Sequence, residues 1–196
     1  AYLAGQAEPA VPHKPGYDIG PAELASKIGY SAMRSGSYAE AEKYLREAIA
    51  VCNADHDPTR KMVNDGRVSF CLDVLAECAI RQNHLAEAQN IIVERLKRIG
   101  MPNIEGSVEW YLLFNNAMLQ EKLGKSIEAE TYYKKAIAQH EQDDKNRGAM
   151  PGSSKDNNRM LAYVLREYAR FLRSQKRPGE SYELMDRAVG IMNNGP

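Results

Sequence analysis

The feature that most constrains the fold of this chain is a spacing of residues that occurs four times. In each case a small residue is followed by three more positions at intervals of 12, 4 and 3 residues. Two antiparallel helices pack closely when small residues meet at their crossing and larger residues fill the space beside them. The four sets are Gly29, Ala41, Leu45 and Ala48; Ala76, Ala88, Ile92 and Arg95; Ala117, Ala129, Tyr133 and Ala136; and Ala169, Ser181, Met185 and Ala188. The chain is therefore expected to contain four helical hairpins.

The breaks in the helical pattern agree with this division. Short breaks occur near Gly36, Asn83, Gly124 and residues 176–179, and they alternate with longer breaks. Pro21 is suited to the first turn of the first helix. Seven breaks define eight helices. The predicted hairpins cover approximately residues 21–54, 64–99, 106–143 and 157–194.

The most complete version of the pattern lies in the first hairpin. It consists of Ile28-Gly29, Gly36-Ser37-Tyr38, the segment Ala41 to Tyr44, and Ala48. These residues resemble the tetratricopeptide repeat (TPR) family, and the resemblance covers residues 21–194. The units are spaced by 47, 41 and 52 residues, whereas the family repeat has about 34. The resemblance implies an all-α, right-handed superhelical solenoid of four antiparallel hairpins, and a role in protein–protein interaction.

Composition excludes several classes of function. Lys and Arg total 26, as do Asp and Glu, so the formal net charge is zero. No global field attracts such a chain to nucleic acid or to anionic lipid. Apolar runs, such as Tyr111 to Phe114, are short, whereas a membrane-spanning helix needs about 20 predominantly apolar residues. The first residue is Ala1, which indicates a processed or trimmed product; a cytoplasmic location and export after removal of a signal peptide both stay open.

The three cysteines do not predict a disulfide framework. An odd number cannot pair completely within one chain, and Cys71 and Cys78 lie about 10 Å apart along one predicted helix. We interpret all three as buried small hydrophobic residues. A disulfide from Cys52 to either of the other two stays open at this stage.

The sequence contains no catalytic or metal-binding pattern. His13, His56, His84 and His140 are scattered without metal-ligand spacing and are expected in solvated or loop positions. No phosphate-binding glycine loop and no nucleophile turn occurs. The expectation is a protein that is not an enzyme and that uses no cofactor and no metal.

The first helices of the hairpins are expected to line a concave groove. Groove positions lie six and three residues before, and one and four after, the small residue of each first helix. They form an aromatic centre with carboxylates on one side and arginines on the other. The predicted groove residues are Tyr30, Phe70, Asp73, Glu77, Tyr111, Phe114, Met118, Tyr163, Arg166, Arg170 and Arg173.

Two interpretations of this stripe are open. In the first, the protein is an adaptor that binds an extended peptide, whose acidic groups meet Arg166, Arg170 and Arg173. In the second, the aromatic residues pack between neighbouring helices and the arginines form a solvated helix face. The predicted partner is a protein or peptide, with another copy of the chain as one alternative, and not nucleic acid.

A second hypothesis is a structural protein that assembles head to tail with itself. Residues 1–20, with prolines at positions 9, 12 and 15, predict an extended N-terminal arm. The last helix presents apolar residues where a further repeat would dock. The arm is expected to enter the groove of another copy, or else to cover its own end. The residues assigned to self-association are Tyr2, Leu3, Val11, Tyr17, Leu184, Ile191 and Met192.

Overall fold

Eight α-helices make up the described part of the chain. The computed structural model describes residues 20–104, 109–147 and 154–194, and these ranges contain no strand. The helices are α1 (Pro21–Arg34), α2 (Tyr38–Ala54), α3 (Lys61–Arg81), α4 (Leu85–Arg98), α5 (Trp110–Lys122), α6 (Ser126–Arg147), α7 (Ser154–Ser174) and α8 (Pro178–Asn194). Consecutive helices pack as four pairs, and each pair contacts the next. The predicted all-α fold of helical hairpins is confirmed.

The short connections within the hairpins share one type of turn. Gly36, Asn83, Gly124 and Lys176 have positive φ angles of 60–84°. In each case the N–H of the following residue donates to a carbonyl in the last turn of the preceding helix, at 2.8–3.0 Å. This left-handed turn ends a helix and satisfies carbonyl groups that have no partner within it. The recurrence of the turn explains why the sequence breaks recur at matching positions.

The repeat positions lie at the crossings between paired helices. A Cβ atom on Gly29 would lie 2.7 Å from Leu45 Cγ and 3.2 Å from the carbonyl oxygen of Ala41, so only glycine allows this approach of α1 and α2 without adjustment. The equivalent Ala76, Ala117 and Ala169 are at most 1% exposed. Small residues at the crossings therefore set the distance between the helices of each hairpin.

Ala76→Leu should lower the free energy of unfolding by about 1–3 kcal/mol, because the added atoms overpack the crossing of α3 and α4. Urea unfolding followed by circular dichroism measures the change. Ala39→Leu is the matched control, since Ala39 is exposed on α2 and the same substitution there should shift stability by less than about 0.5 kcal/mol. Equal stabilities of the two variants would contradict the placement of Ala76 at a close crossing.

Arg95 occupies a repeat position where the other hairpins have alanine, and the structure explains the exception. Its side chain is buried, 3.4 Å from the carboxylate of Asp73 and 3.1 Å from that of Glu109. Burial raises the pKa of Asp73 to about 7, although Arg95 opposes that rise. The prediction that Asp73 faces the groove is therefore wrong, because the residue is only 6% exposed and its carboxylate pairs with Arg95 of α4.

The junction between α6 and α7 shows how one hairpin covers the next. The ring of Tyr133 in α6 lies 5.3 Å from the ring of Tyr168 and 5.5 Å from that of Phe171, both in α7. At the edge of these rings, the Tyr168 hydroxyl donates to the Glu130 carboxylate at 3.1 Å. Hydrogen bonds from Arg177 and Lys134 lower the pKa of Glu130 to about 2. An apolar centre with an ion pair at its edge thus joins the third hairpin to the fourth.

The cysteine prediction is confirmed and one histidine prediction is wrong. Cys52, Cys71 and Cys78 are free and buried, so the possible Cys52 disulfide is not formed. Among the histidines, His56 and His84 are exposed as expected. His140 is 4% exposed and lies edge-on to the Trp110 ring at 4.7 Å. Its position on α6 faces α5, which is why it is buried and not solvated.

Candidate functional site

The first helices of the hairpins meet on one side of the array, which we call the inner side. The Tyr30 hydroxyl of α1 donates to the Met160 sulfur of α7 at 3.2 Å. Four residues later in α1, the Arg34 guanidinium lies 4.9 Å from the centre of the Tyr163 ring. Because α1 belongs to the first hairpin and α7 to the fourth, the array curves until its two ends contact each other across the inner side.

Two cavities border this contact. One, the polar cavity, has a volume of about 370 Å³, and the other, the apolar cavity, about 480 Å³. Arg34 lines both, so the cavities adjoin. Around the polar cavity lie Met33, Arg34, Ser35, Gly36, Tyr38, Glu77, Arg81, Tyr163, Arg166 and Glu167. Around the apolar cavity lie Tyr30, Arg34, Phe70, Trp110, Tyr111, Arg159 and Met160.

A buried carboxylate organises the floor of the inner side. Glu77 is 0% exposed, and it accepts hydrogen bonds from the Tyr111 hydroxyl at 2.9 Å and from the Tyr163 hydroxyl. Arg81, one turn later in α3, forms an ion pair with the same carboxylate at 3.3 Å and with Glu167 at 3.0 Å. Burial, together with the charge of Glu77, raises the pKa of both tyrosines above the ordinary value.

Three of the predicted groove residues do lie together in the structure, but their polar side-chain atoms form hydrogen bonds with one another. Glu77, Tyr111 and Tyr163 come from α3, α5 and α7, and they form one hydrogen-bonded cluster. A buried carboxylate with three donors is stable only while all of them are in place. The cluster fixes the relative position of three hairpins, and its hydrogen-bonding groups are already used.

The predicted groove aromatics divide into two groups. Tyr30 and Phe70, whose ring centres are 5.6 Å apart, border the apolar cavity, and Phe70 is 37% exposed. Phe114 and Met118 are 0% and 3% exposed, so the prediction that they contact a partner is wrong. The Phe114 ring lies 5.6 Å from the Tyr163 ring of α7. It is buried because this ring and the Tyr133 ring of α6, 6.2 Å away, both lie against it.

The three predicted groove arginines also have different surroundings. Arg166 borders the polar cavity. Arg170 donates two hydrogen bonds to Glu121, at 3.0 and 2.9 Å, and one to Glu167. Arg173 is exposed and borders neither of the two inner cavities in the described part of the chain. Carboxylates of α5 and α7 therefore already neutralise Arg170, the middle one of the three predicted arginines.

Other residues of the site were missed by the sequence stripe. Arg34 and Arg81 both lie five positions after the small residue of their helices, one position beyond the stripe that was used. Two arginines at the same repeat position are a signal that a wider stripe would have detected. Trp110 and Met160 lie near the starts of α5 and α7 and reach the cavity through the curvature of the array, for which the sequence contains no comparable signal.

The residues assigned to self-association are only partly described. Tyr2, Leu3, Val11 and Tyr17 lie outside the described residues. Of the apolar residues in α8, Met192 is 54% exposed, as predicted for an open face. Leu184 and Ile191 instead pack partly against the core, so the prediction that they are exposed is wrong. Their helical positions point toward α7, whereas Met192 lies nearer the outer edge.

Metal clusters and membrane-spanning helices are both absent from the described residues. In residues 20–104, 109–147 and 154–194, no three His, Cys, Asp or Glu side chains are grouped so that they could hold a metal ion. Nor is any helix in the described ranges both long enough and apolar enough to cross a bilayer.

Comparison with known proteins finds similar solved structures but no matching family. No protein-family model matches the chain, and no curated protein does. A solved structure titled "MamA MSR-1 C2" is similar at 16% sequence identity, over 88% of this chain and 82% of that one, with a TM-score of 0.41. The fold described above therefore rests on the helices and contacts of this chain itself.

Proposed function

We propose that this protein is a non-catalytic, TPR-like interaction module that binds an extended peptide segment on its inner side. The observation that carries the proposal is the adjoining pair of cavities, one apolar and one polar, that share Arg34. A peptide that lies across both would place an apolar side chain in one and an acidic group in the other. Clefts of this volume with a few convergent polar groups are typical binding sites.

The apolar cavity suits a large side chain of the peptide. Its wall contains Phe70, Trp110, Tyr111 and Met160, which come from three different helices. Aromatic side chains concentrate binding energy at interfaces because they bury a large area with little loss of conformational freedom. Methionine adapts to the shape of the group that enters. We expect an aromatic or long aliphatic residue of the partner here.

The polar cavity suits a carboxylate or another anionic group. Among the described residues, neither Arg34 nor Arg166 forms an ion pair with a carboxylate, whereas Arg81 and Arg170 do. An incoming anion can therefore accept charge-assisted hydrogen bonds from Arg34 and Arg166 without displacing an existing pair. This revises the sequence hypothesis, which assigned the acidic groups to Arg166, Arg170 and Arg173.

The test selects peptides from a randomised library displayed on phage, with the intact chain as bait. Selected peptides should contain an acidic residue close to an aromatic or long aliphatic one. Arg34→Ser and Arg166→Ser should each weaken binding of a selected peptide about 5- to 50-fold and reduce its salt dependence, because each removes a charged hydrogen bond. Fluorescence anisotropy of the labelled peptide measures both effects.

Arg173→Ser is the matched control, since Arg173 is on the same helix as Arg166 but borders neither inner cavity. Its dissociation constant should stay within about two-fold of that of the wild type. Selected peptides without an acidic residue, or equal losses in the Arg166→Ser and Arg173→Ser variants, would contradict the proposed site.

A further inference from the structure

The outer side of α8 is more exposed than the same side of α2, α4 and α6, which are the second helices of the first three hairpins. The positions compared lie 1, 4, 8 and 11 residues after the first small repeat residue of the second helix in each hairpin. These small residues are Ala41, Ala88, Ala129 and Ser181. In the earlier hairpins they are largely covered: Leu45 and Tyr133 are 0% exposed and Leu96 is 7% exposed. In α8 they are Tyr182, Met185, Val189 and Met192, which we call the C-terminal stripe. Tyr182, Val189 and Met192 are 65%, 53% and 54% exposed.

The internal junctions show what normally covers these positions. Tyr133 of α6 is covered by Tyr168 and Phe171 of α7, whose rings lie 5.3 and 5.5 Å away. On α7, Val164, Tyr168 and Phe171 form one face, at five positions before, one before and two after the small residue Ala169. These three residues are at most 4% exposed. The occupant of such a stripe is therefore the corresponding face of a first helix.

The first helix of the chain presents that same face outward. Leu24, Ile28 and Ser31 of α1 are the positions equivalent to Val164, Tyr168 and Phe171, and we call them the leading face. Leu24 is 50% exposed, Ile28 is partly exposed and Ser31 is exposed. Among the described helices, α1 packs closely against α2 and α3. The two ends of the array thus present the two halves of one junction.

We infer that the C-terminal stripe of one copy docks on the leading face of a second copy. The contact is heterologous and continues the array from one chain into the next, as α7 continues it from α6. Burial of Leu24 against Val189 and Met192 supplies the hydrophobic stabilisation. The inference goes beyond peptide binding, because it uses neither of the two inner cavities.

Two acidic residues are expected to face each other at the edge of the proposed contact. Reversing the charge of one of them should therefore strengthen association. At the first internal junction, Arg46 of α2 forms an ion pair with Glu87 of α4 at 2.6 Å. The equivalent positions across two copies are Asp186 and Glu40, which are both acidic and exposed. Asp186→Arg replaces a repulsive pair with an attractive one of the Arg46–Glu87 type. It should strengthen association about two- to five-fold.

The experiment measures the mass of the full chain by light scattering over a wide range of concentration. The wild type should rise from its 21.9 kDa monomer mass as concentration increases. Val189→Asp and Leu24→Asp should each weaken association at least about ten-fold, because each places a charge in an apolar contact. Ile127→Asp is the matched control, since Ile127 is 81% exposed and lies on neither end surface; it should associate like the wild type.

Mixing the two variants distinguishes this contact from others. Val189→Asp retains an intact leading face and Leu24→Asp retains an intact C-terminal stripe, so an equimolar mixture should form a 1:1 dimer although each variant alone is monomeric. Circular dichroism confirms that each variant is folded, and Met192→Asp replaces Val189→Asp if the latter unfolds. The dimer should stop at two chains, because each partner has lost its other end.

Three results would overturn the inference. The first is a wild type that stays monomeric at every concentration. The second is association of Leu24→Asp alone, which indicates a symmetric contact between two copies of α8. The third is association that survives Val189→Asp but is lost when residues 1–17 are deleted, which assigns self-association to the N-terminal arm.

Discussion

Phe114→Ala should lower the free energy of unfolding by about 3–5 kcal/mol. Phe114 is completely buried in α5, with the rings of Tyr111, Tyr133 and Tyr163 within 6.2 Å of its own. Removal of its ring leaves a cavity among α5, α6 and α7, between the third and fourth hairpins, and the surrounding helices cannot close it without losing their own contacts. Urea unfolding followed by circular dichroism gives the change from the midpoint and slope of the transition.

Phe70→Ala is the matched control for this substitution. Phe70 has the same side chain and the same kind of position in the sequence stripe, but it is 37% exposed at the mouth of the apolar cavity. Its truncation should lower the free energy of unfolding by about 1 kcal/mol or less. If Phe114→Ala were as mild as Phe70→Ala, Phe114 would line an open groove and the curvature described here would be wrong.

Glu77→Ala is expected to be as severe, at about 3–5 kcal/mol. The substitution leaves Arg81 without one of its two carboxylate partners, and it leaves the hydroxyl groups of Tyr111 and Tyr163 without their acceptor. Each buried polar group that loses its partner adds a desolvation penalty. The same urea experiment measures the loss.

Two further variants separate the charge of Glu77 from its shape. Glu77→Gln keeps the size of the side chain and one acceptor oxygen, so its loss of stability should be smaller, about 1–3 kcal/mol. Glu47→Ala removes an exposed carboxylate from the middle of α2 and should shift stability by no more than about 0.5 kcal/mol. A Glu77→Ala variant as stable as Glu47→Ala would show that the buried cluster does not hold the hairpins together.

The difference between Phe70 and Phe114 shows where prediction from the sequence stops. Both residues lie on the inner side of a first helix, and helical periodicity correctly assigned them to that side. Periodicity describes the direction of a side chain from its own helix axis. It contains no information on the angle between successive hairpins, which is set by contacts between residues far apart in the chain. That angle decides whether an inner position is open, as at Phe70, or covered by another helix, as at Phe114.

Arg95 shows the same limit for charges. Its position in the repeat predicted a small residue, and the sequence contained no sign that its partner would be Asp73, 22 residues earlier. A long side chain can cross the space between two helices and satisfy a carboxylate that the helical period assigns to another surface. Arg170 likewise meets Glu121, which is 49 residues away. Such pairs depend on the distance between elements and not on spacing within one.

The sequence by itself determined the class of fold, the eight helices and the small residues at their crossings, because these depend on local hydrogen bonding, turn conformation and the volume of side chains within one hairpin. The tertiary structure alone decided which inner residues remain accessible. Contacts between α1 and α7 close the inner side around two cavities, and Glu77 is buried there beneath residues from three hairpins. Curvature accumulates from every junction in the array, so no single segment of the sequence encodes it.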